Sequence, residues 1–501
     1  MKRALPAYLA SLHRRGDPLE AALAAAAAVA GEPWDVVRAA GLLARCQVVR
    51  ADSDLGLTER LDVRAVRGRG VIAVVQAGAL YPTLAHPRRR SRGTFDTPTE
   101  MARRVVASAL GAAAIPVQTA LDPACGAGAF LLALAEAGVP EVRGADIDPV
   151  ALAVASVAVP RAKLELRDAS LPGELVDVVV GNPPFVRPER QERALREELG
   201  RRFPWLHGRY DLAIPFAAAA VERARPGGAA GLVLPAAVLV QPYGEVLRRR
   251  WLEQHRVVEI GGPWPFPGAS VDVMALVMQI GAGRSALPGG VHADEVLRLP
   301  GCPIDPGLLP GDVALVERIQ SLSRPLGASC VVDTGVVAHG PRGGKEALLY
   351  DEPGEGRVPY ADARDFFAGR RRWLQYAPDL MHRAKSQQLM EGEKLVIQRI
   401  RGNLPVRAAI DRAGVYVGHT CTVVRPGAAA APLELLLELV RSPLVDGVLR
   451  IERGRRLDLY PHDVAAFPVP LAWLDAPDTS LEDAWGLSEA EIGRLKQAAC
   501  R

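Results

Sequence analysis

Four consecutive residues offer the most specific chemistry in this sequence. The apolar run Val176–Val180 passes through Gly181 into Asn182, Pro183, Pro184 and Phe185. The two prolines fix the backbone and remove N–H donors, so the carbonyls there are presented as acceptors. An aromatic amine has its lone pair delocalised into the ring and is a poor nucleophile. The side-chain oxygen of Asn182 and the carbonyl of Pro183 could both accept its hydrogens and favour a more pyramidal nitrogen. Phe185 would supply a stacking face for the ring. Upstream, the stretch Leu121–Phe130 reads LDPACGAGAF, an acid followed by a glycine-rich turn. Gly126 and Gly128 let a backbone approach a ligand closely and reach positive φ at little cost. The spacing is not GxGxxG, and alone the turn is equally an ordinary strand-to-helix connection.

The elements around these residues bring further groups to the same place. A β run (Gln118–Leu121) ends at Asp122 and is followed by a helical pattern (Ala129–Ala137). A second run (Glu141–Ala145) ends at Asp146, where an acid can accept both hydroxyls of a ribose. A third (Lys163–Arg167) ends at Asp168, and Val176–Val180 is the fourth. Three acids at the carboxyl ends of successive strands converge on one crevice at the topological switch point of an α/β sheet. Between Gly93 and about Ile280, apolar β-type runs alternate with helical patterns, as in a parallel α/β sheet. Phe266 lies between the strand-like runs Val257–Ile260 and Val271–Ile280, in a turn stiffened by three prolines. That turn predicts a fixed aromatic face near Phe185, with core capping by Phe266 and Trp264 the plainer alternative.

The whole chain sets the frame. Its 501 residues imply two or three domains, and 49% hydrophobic with 24% charged residues is the balance of a soluble globular protein. A formal net charge of +4 leaves nucleic-acid binding to local basic patches. Candidates are Arg88–Arg92, Arg248–Arg250, Arg370–Arg372 and Arg453–Arg456, although such a patch is more often a solvated face than a DNA contact. The six scattered cysteines form no CxxC pair, so neither a disulfide framework nor a metal site is expected, in keeping with a cytoplasmic protein. No stretch approaches the ~20 apolar residues of a membrane span. We divide the chain into a small, mainly helical N-terminal segment (1–88) with strand-like runs at Leu61–Val66 and Gly70–Val75, a catalytic domain (89–282) and a linker (283–326) with one helix over Gly311–Ser321. A mostly β or α+β unit (327–474) and a C-terminal helix (475–501) follow, the helix opened by a Ser488–Glu491 capping box.

These motifs, in this order, resemble those of the TaqI-like N6-adenine DNA methyltransferases, whose gamma order places an N-terminal cofactor motif first. Gly93-Thr94-Phe95-Asp96-Thr97-Pro98 is similar to that motif, and DPACGAGAF, ADIDP and NPPF follow it. Asp211–Gly228 and Gly231–Ala236 resemble the family's next helix and strand, and Phe266-Pro267-Gly268-Ala269 its turn with a base-holding aromatic. Segments of 327–474, namely Val331–Gly335, Ile397–Asp411 and Leu435–Pro470, resemble a target-recognition domain. The resemblance implies a Rossmann-like S-adenosylmethionine-dependent methyltransferase sheet beside that domain. It assigns Asp122 to the methionine, Asp146 to the ribose and Asp168 to the adenine of S-adenosylmethionine, with Thr97, Ala124, Gly126, Gly128, Ile147 and Asn182 also contacting the cofactor. Asn182, Pro183, Pro184 and Phe185 become the catalytic loop, and Phe185 and Phe266 the pair that stacks a flipped base.

The implied partner is double-stranded DNA, bound by a monomer in a restriction–modification or phage-defence setting, with a separately encoded restriction endonuclease as a further partner. Residues 1–85 hold one lysine, Lys2, too few for a PD-(D/E)xK nuclease site in that segment. Three alternatives stand beside this reading: transfer to a ribosomal RNA base or a protein glutamine by another NPP-loop enzyme, a catalytically silent DNA-binding subunit, and N4-cytosine methylation.

Overall fold

The computed structural model describes residues 48–50 and 97–500, apart from 148–150, 153, 154, 156, 157, 187, 189, 190, 192, 207, 266–270, 339–343, 401–403 and 455–457. The helical reading of 1–88 (48–50 excepted), its strand-like runs, the Arg88–Arg92 patch, Gly93–Asp96 and Phe266 fall outside the described residues. The chain divides into two compact units, Met1–Leu297 and Arg298–Arg501. The division lies within the stretch 283–326 read as a linker. Among the described residues no helix is long and apolar enough to cross a membrane.

The first unit is built on an eight-stranded sheet. Its strands are β1 (Val48–Arg50), β2 (Thr119–Asp122), β3 (Glu141–Asp146), β4 (Lys163–Leu166), β5 (Val176–Gly181), β6 (Ala224–Pro235), β7 (Arg256–Pro265) and β8 (Asp272–Gln279). Their spatial order is β1-β4-β3-β2-β5-β6-β8-β7. From β2 the chain builds outward through β3 and β4, then returns to place β5 on the other side of β2. The switch point therefore lies between β2 and β5, where Ala120 pairs with Val178 and Leu121 with Val179. All six residues of β5 are buried, as expected of a central parallel strand with a near-continuous valine run.

Three features depart from the reading of the sequence. The sheet is not parallel throughout, because β8 runs antiparallel to both β6 and β7. Gly262 to Pro265, read as part of a turn, belong to β7, with Trp264 opposite Val273. A β1 strand inside the segment read as mainly helical pairs with β4 and forms that edge of the sheet. Its Val48-Val49 pair is the β-branched composition that suits a strand.

Helices cover the sheet. Helix α1 (Thr99–Ala112) buries Ala102, Val105, Val106 and Ala109, and α2 (Ala129–Glu136) buries the continuous run Phe130–Leu134. Helix α3 (Arg193–Arg202) follows the Asn182–Phe185 loop, and α4 (Ala213–Val221) is apolar on nearly every side and almost wholly buried. The family-like helix at Asp211–Gly228 is thus shorter than the sequence suggested, because β6 already begins at Ala224. Helix α5 (Glu245–Gln254) leads into β7.

The second unit opens with helix α6 (Asp312–Ser321) and β9 (Ser323–Pro325), which pairs with β18 (Pro468–Pro470). Two four-stranded sheets follow. One has the order β10 (Cys330–Thr334), β17 (Cys421–Pro426), β14 (Lys394–Gln398), β15 (Ala408–Asp411). The other is ordered β11 (Leu349–Tyr350), β13 (Arg372–Gln375), β12 (Arg357–Ala361), β16 (Tyr416–Val417). Residues of both sheets, among them Leu374, Val396, Tyr416 and Val423, share one core. Helices α7 (Leu433–Arg441), α8 (Pro443–Arg453) and α9 (Glu489–Ala499) complete the unit. Ser488 caps α9 in the capping box with Glu491 that the sequence predicts.

Candidate active site

The crevice at the carboxyl ends of β2, β3 and β5 gathers the candidate residues. Asp122 closes β2 and is 1% exposed. Its Oδ1 accepts the Ala124 N–H at 3.0 Å. Burial, opposed by that hydrogen bond and reinforced by the negative charge of Asp146, pushes the Asp122 carboxyl up to about 8. Asp146 closes β3, and its Oδ2 accepts the Gly126 N–H at 2.7 Å. One carboxylate thereby fixes the glycine turn of the neighbouring strand. In that turn Gly126 has φ +51° and Gly128 φ +93°. A side chain at Gly128 would also press on Ala155, whose Cβ would lie 3.2 Å from its own. Backbone freedom and close approach both call for glycine here.

Ile147, the residue after Asp146, is 57% exposed, an apolar surface at the mouth of the crevice. Asp168 lies two residues beyond the end of β4, half-buried, with Oδ1 accepting the Ser170 N–H at 2.7 Å.

The catalytic-loop candidates sit beside Asp122 because β5 neighbours β2. Gly181 is the hinge of this arrangement: a Cβ there would come within 2.8 Å of Asp122 Oδ1. Asn182 is half-buried, and its Nδ2 donates to Thr97 Oγ1 at 3.1 Å, across 85 residues of sequence. Its Oδ1 is buried and has no hydrogen-bond partner among the described residues. A buried acceptor without a donor is costly and marks a place where a donor from outside the chain is expected. Pro183 is buried and Pro184 half-buried. Phe185 is 9% exposed, so a ring stacked on it must displace part of what covers it. Phe266 lies outside the described residues. Its neighbour Trp264 has the Arg104 guanidinium over its ring at 5.2 Å, and Arg104 also pairs with Glu259 at 3.0 Å.

Among the described residues of the basic patches, several arginines have partners within the chain. Arg248 is fully buried and donates to the carbonyls of Val238 and Gln241 at 2.7 and 2.8 Å, so it packs the first unit instead of facing DNA. Arg250 is exposed and lies over the Trp205 ring. Arg370 pairs with Asp365, Arg372 with Glu346 and Asp351, and Arg453 with the buried Asp463. Arg455 and Arg456 fall outside the described residues. Runs of arginine in a sequence carry no record of the acids that fold against them.

Sequence reasoning passed over two residues of the site. Gly181 is legible only once β5 is known to neighbour β2. Gln191 joins the chain leaving Phe185 to the chain entering α4, through contacts that no local pattern announces.

Comparison with known proteins agrees with this geometry. Residues 173–261, which hold β5, the Asn182–Phe185 loop, α4 and β6, match the Eco57I restriction-modification methylase family model. The chain is 26% identical over 409 residues to a type II methyltransferase of Thermus thermophilus, covering 76% of this chain and 91% of the relative. It is 26% identical over 208 residues to the type II methyltransferase M.BanIII of Aneurinibacillus aneurinilyticus, covering 34% of this chain and 35% of that one. Among solved structures, the type IIL restriction-modification enzyme MmeI in complex with DNA aligns with a TM-score of 0.54 at 13% identity, over 84% of this chain and 77% of that one. The chain has the fold of the S-adenosylmethionine-dependent methyltransferases, and in sequence it is similar to those of type II restriction–modification systems.

Proposed function

We propose that this protein is a site-specific DNA methyltransferase of a restriction–modification setting, and that it methylates the N6 amine of an adenine flipped out of the duplex. The observation that carries the reading is the buried Oδ1 of Asn182, which has no hydrogen-bond partner among the described residues and lies one residue beyond β5, the strand next to the one that ends in Asp122. The residues present fit S-adenosylmethionine. Asp146 would hold the ribose hydroxyls, Asp168 the adenine amine and Ile147 an apolar face of the adenine, with Asp122 at the cationic methionine end. When bound, the cofactor supplies a methyl group made electrophilic by its sulfonium.

The remaining work belongs to this chain. Asn182 Oδ1 and the Pro183 carbonyl accept the two hydrogens of the target amine and hold its nitrogen in line for attack. Thr97 holds the Asn182 amide in that orientation through Nδ2. Alignment and preorganised acceptors lower the barrier, and no strong general base is required. A base inside a duplex cannot reach this crevice, so it leaves the stack, and Phe185 returns part of the lost stacking energy. The second unit reads the sequence around the target.

The test is direct. The gene is expressed in a methylation-free host and modified bases are mapped by single-molecule sequencing, beside an Asn182→Ala variant. N6-methyladenine at one defined motif, lost in the variant, is the expected result. N4-methylcytosine would move the target to the other exocyclic amine, and an unmodified genome would overturn the reading.

A further inference from the structure

Between Phe185 and α4 the chain leaves the sheet and returns to it, and one side chain joins the two ends of that excursion. Gln191 is 8% exposed. Its Nε2 donates to the Val186 carbonyl at 2.8 Å and to the Tyr210 carbonyl at 2.7 Å. The Leu212 N–H also donates to the Val186 carbonyl, at 3.0 Å. Both partners of Nε2 are obligate acceptors, so the orientation of the amide is fixed: the nitrogen faces the carbonyls. The oxygen, Oε1, is buried and finds no donor among the described residues.

That pattern separates a staple from a space-filler. An apolar side chain of the same length would fill the volume without stranding a buried acceptor, so packing alone does not account for a glutamine. Its two N–H donors do. They act at a consequential place, because Val186 follows Phe185 directly. Tyr210 precedes Asp211, whose Oδ1 takes the Ala213 N–H at 2.9 Å where α4 begins. One carboxamide therefore ties the exit of the Asn182–Phe185 loop to the start of a helix almost wholly buried against the sheet.

We propose that Gln191 is a positioning residue for methyl transfer: its carboxamide staples Val186 to Tyr210 and so holds the Asn182–Phe185 loop in the geometry that receives the target amine. The proposal rests on the reading of the chain as a DNA methyltransferase. Of the proposed cofactor contacts only Asn182 lies in that loop, and Asp122, Asp146 and Asp168 lie at or just beyond the ends of other strands, so cofactor affinity is expected to change far less than turnover.

The experiment compares the full-length wild type with Gln191→Met and Gln191→Glu on duplex DNA carrying the mapped site. It measures kcat, KM for DNA and cofactor affinity from pH 6 to pH 9. Met has the length of Gln and no donor. Gln191→Met is expected to lower kcat by about tenfold or more, with cofactor affinity within about twofold of wild type. Glu keeps the shape, but its carboxylate repels the two carbonyls, whereas its protonated form donates to one of them. The kcat of Gln191→Glu relative to wild type is therefore expected to rise as the pH falls, a response that loss of packing would not give. Wild-type kcat in both variants across the pH range overturns the proposal, as does an equal loss of kcat and cofactor affinity. If Gln191→Met does not fold, the pH response of Gln191→Glu decides alone. A wild type that methylates while the Gln191 variants match it overturns only the staple. A wild type that methylates no DNA overturns the reading beneath it, and the staple as well.

Discussion

A carboxyl whose ionisation is resisted by burial is sensitive to any cation that arrives beside it. Burial raises Asp122 from the ordinary 3.8 to about 8, so in the free protein it carries its proton through neutral pH. The cofactor's methionine end is cationic, and ionised Asp122 would meet it at full charge. Binding then draws the proton off: cofactor affinity is expected to rise as the pH climbs from 6 towards 9, with a proton released at the lower end of that range. Calorimetry in buffers of different ionisation enthalpy counts the proton. Asp122→Asn should remove both the release and the pH slope, and identical proton counts in wild type and variant would assign the effect to another group. The linkage to stability has its own sign. Between about pH 4 and pH 8 the folded protein binds more protons at this site than the unfolded chain, so this contribution falls as the pH rises through that window, and Asp122→Asn flattens it. The residue types at the site were legible because each stands at a strand end with a recognisable chemical use. The state of Asp122 was not legible, because it depends on what encloses the carboxyl and on the nearby Asp146.

At the scale of elements, the pairing of β2 with β5 makes the site, and another acid secures it from the opposite end. Asp177, in β5, is 5% exposed. Its Oδ2 accepts the N–H groups of Gln118 and Thr119 at 2.9 and 2.8 Å and the Thr119 hydroxyl at 2.9 Å, and its Oδ1 accepts from Arg225 at 2.5 Å. Desolvation opposes the charge, but these donors outweigh it and hold the carboxyl at about 2. Because the folded value lies below the unfolded one, the stabilisation is fully present above about pH 4 and is lost as the pH falls towards 2. Asp177→Ala should lower unfolding stability by about 3 kcal/mol at neutral pH, since it leaves the N–H groups of Gln118 and Thr119 without their charged acceptor. Denaturant titration at pH 7 and pH 3 checks this, and the difference from wild type should shrink at the lower pH. An equal loss at both would place the effect in packing. The first-unit strands that frame the crevice were legible within a residue or two, because each is a short apolar run ending in an acid or a turn. The antiparallel entry of β8, the inclusion of Trp264 in β7 and the burial of Arg248 were not. They are set by how neighbouring segments fold against one another, Arg248 by the Val238 and Gln241 carbonyls and Trp264 by Val273, and a local hydrophobic period carries no information about direction of pairing.

At the scale of the molecule, two compact units invite a division of labour between methyl transfer and sequence reading, and the structure indicates where to cut. A composition-based boundary near Gly327 would sever the second unit from its own opening segment. β9 pairs with β18, Trp485 Nε1 donates to Ser323 Oγ at 2.9 Å, Arg318 pairs with Glu491, and Arg494 Nε donates to Asp312 Oδ1 at 2.6 Å. The stretch from Asp312 to Pro325 is thus held by residues between Pro468 and Arg494. A chain cut before Gly327 would retain α6 and β9 without the partners that bury them, exposing Val313, Val316 and Ile319. Exposed apolar surface of that kind leads to association and loss of solubility. A chain ending at Leu297 carries none of it. Such a chain is expected to be soluble and to bind S-adenosylmethionine with affinity near that of the full protein, because every proposed cofactor contact lies in the first unit. It should also lose discrimination between the mapped site and unrelated duplexes. Calorimetry for the cofactor, together with DNA binding at two salt concentrations, separates the outcomes: a residual affinity that is salt-dependent and indifferent to sequence marks phosphate contacts alone. If the chain ending at Leu297 still methylates one defined site, sequence reading resides in the first unit, and the second unit requires a different role.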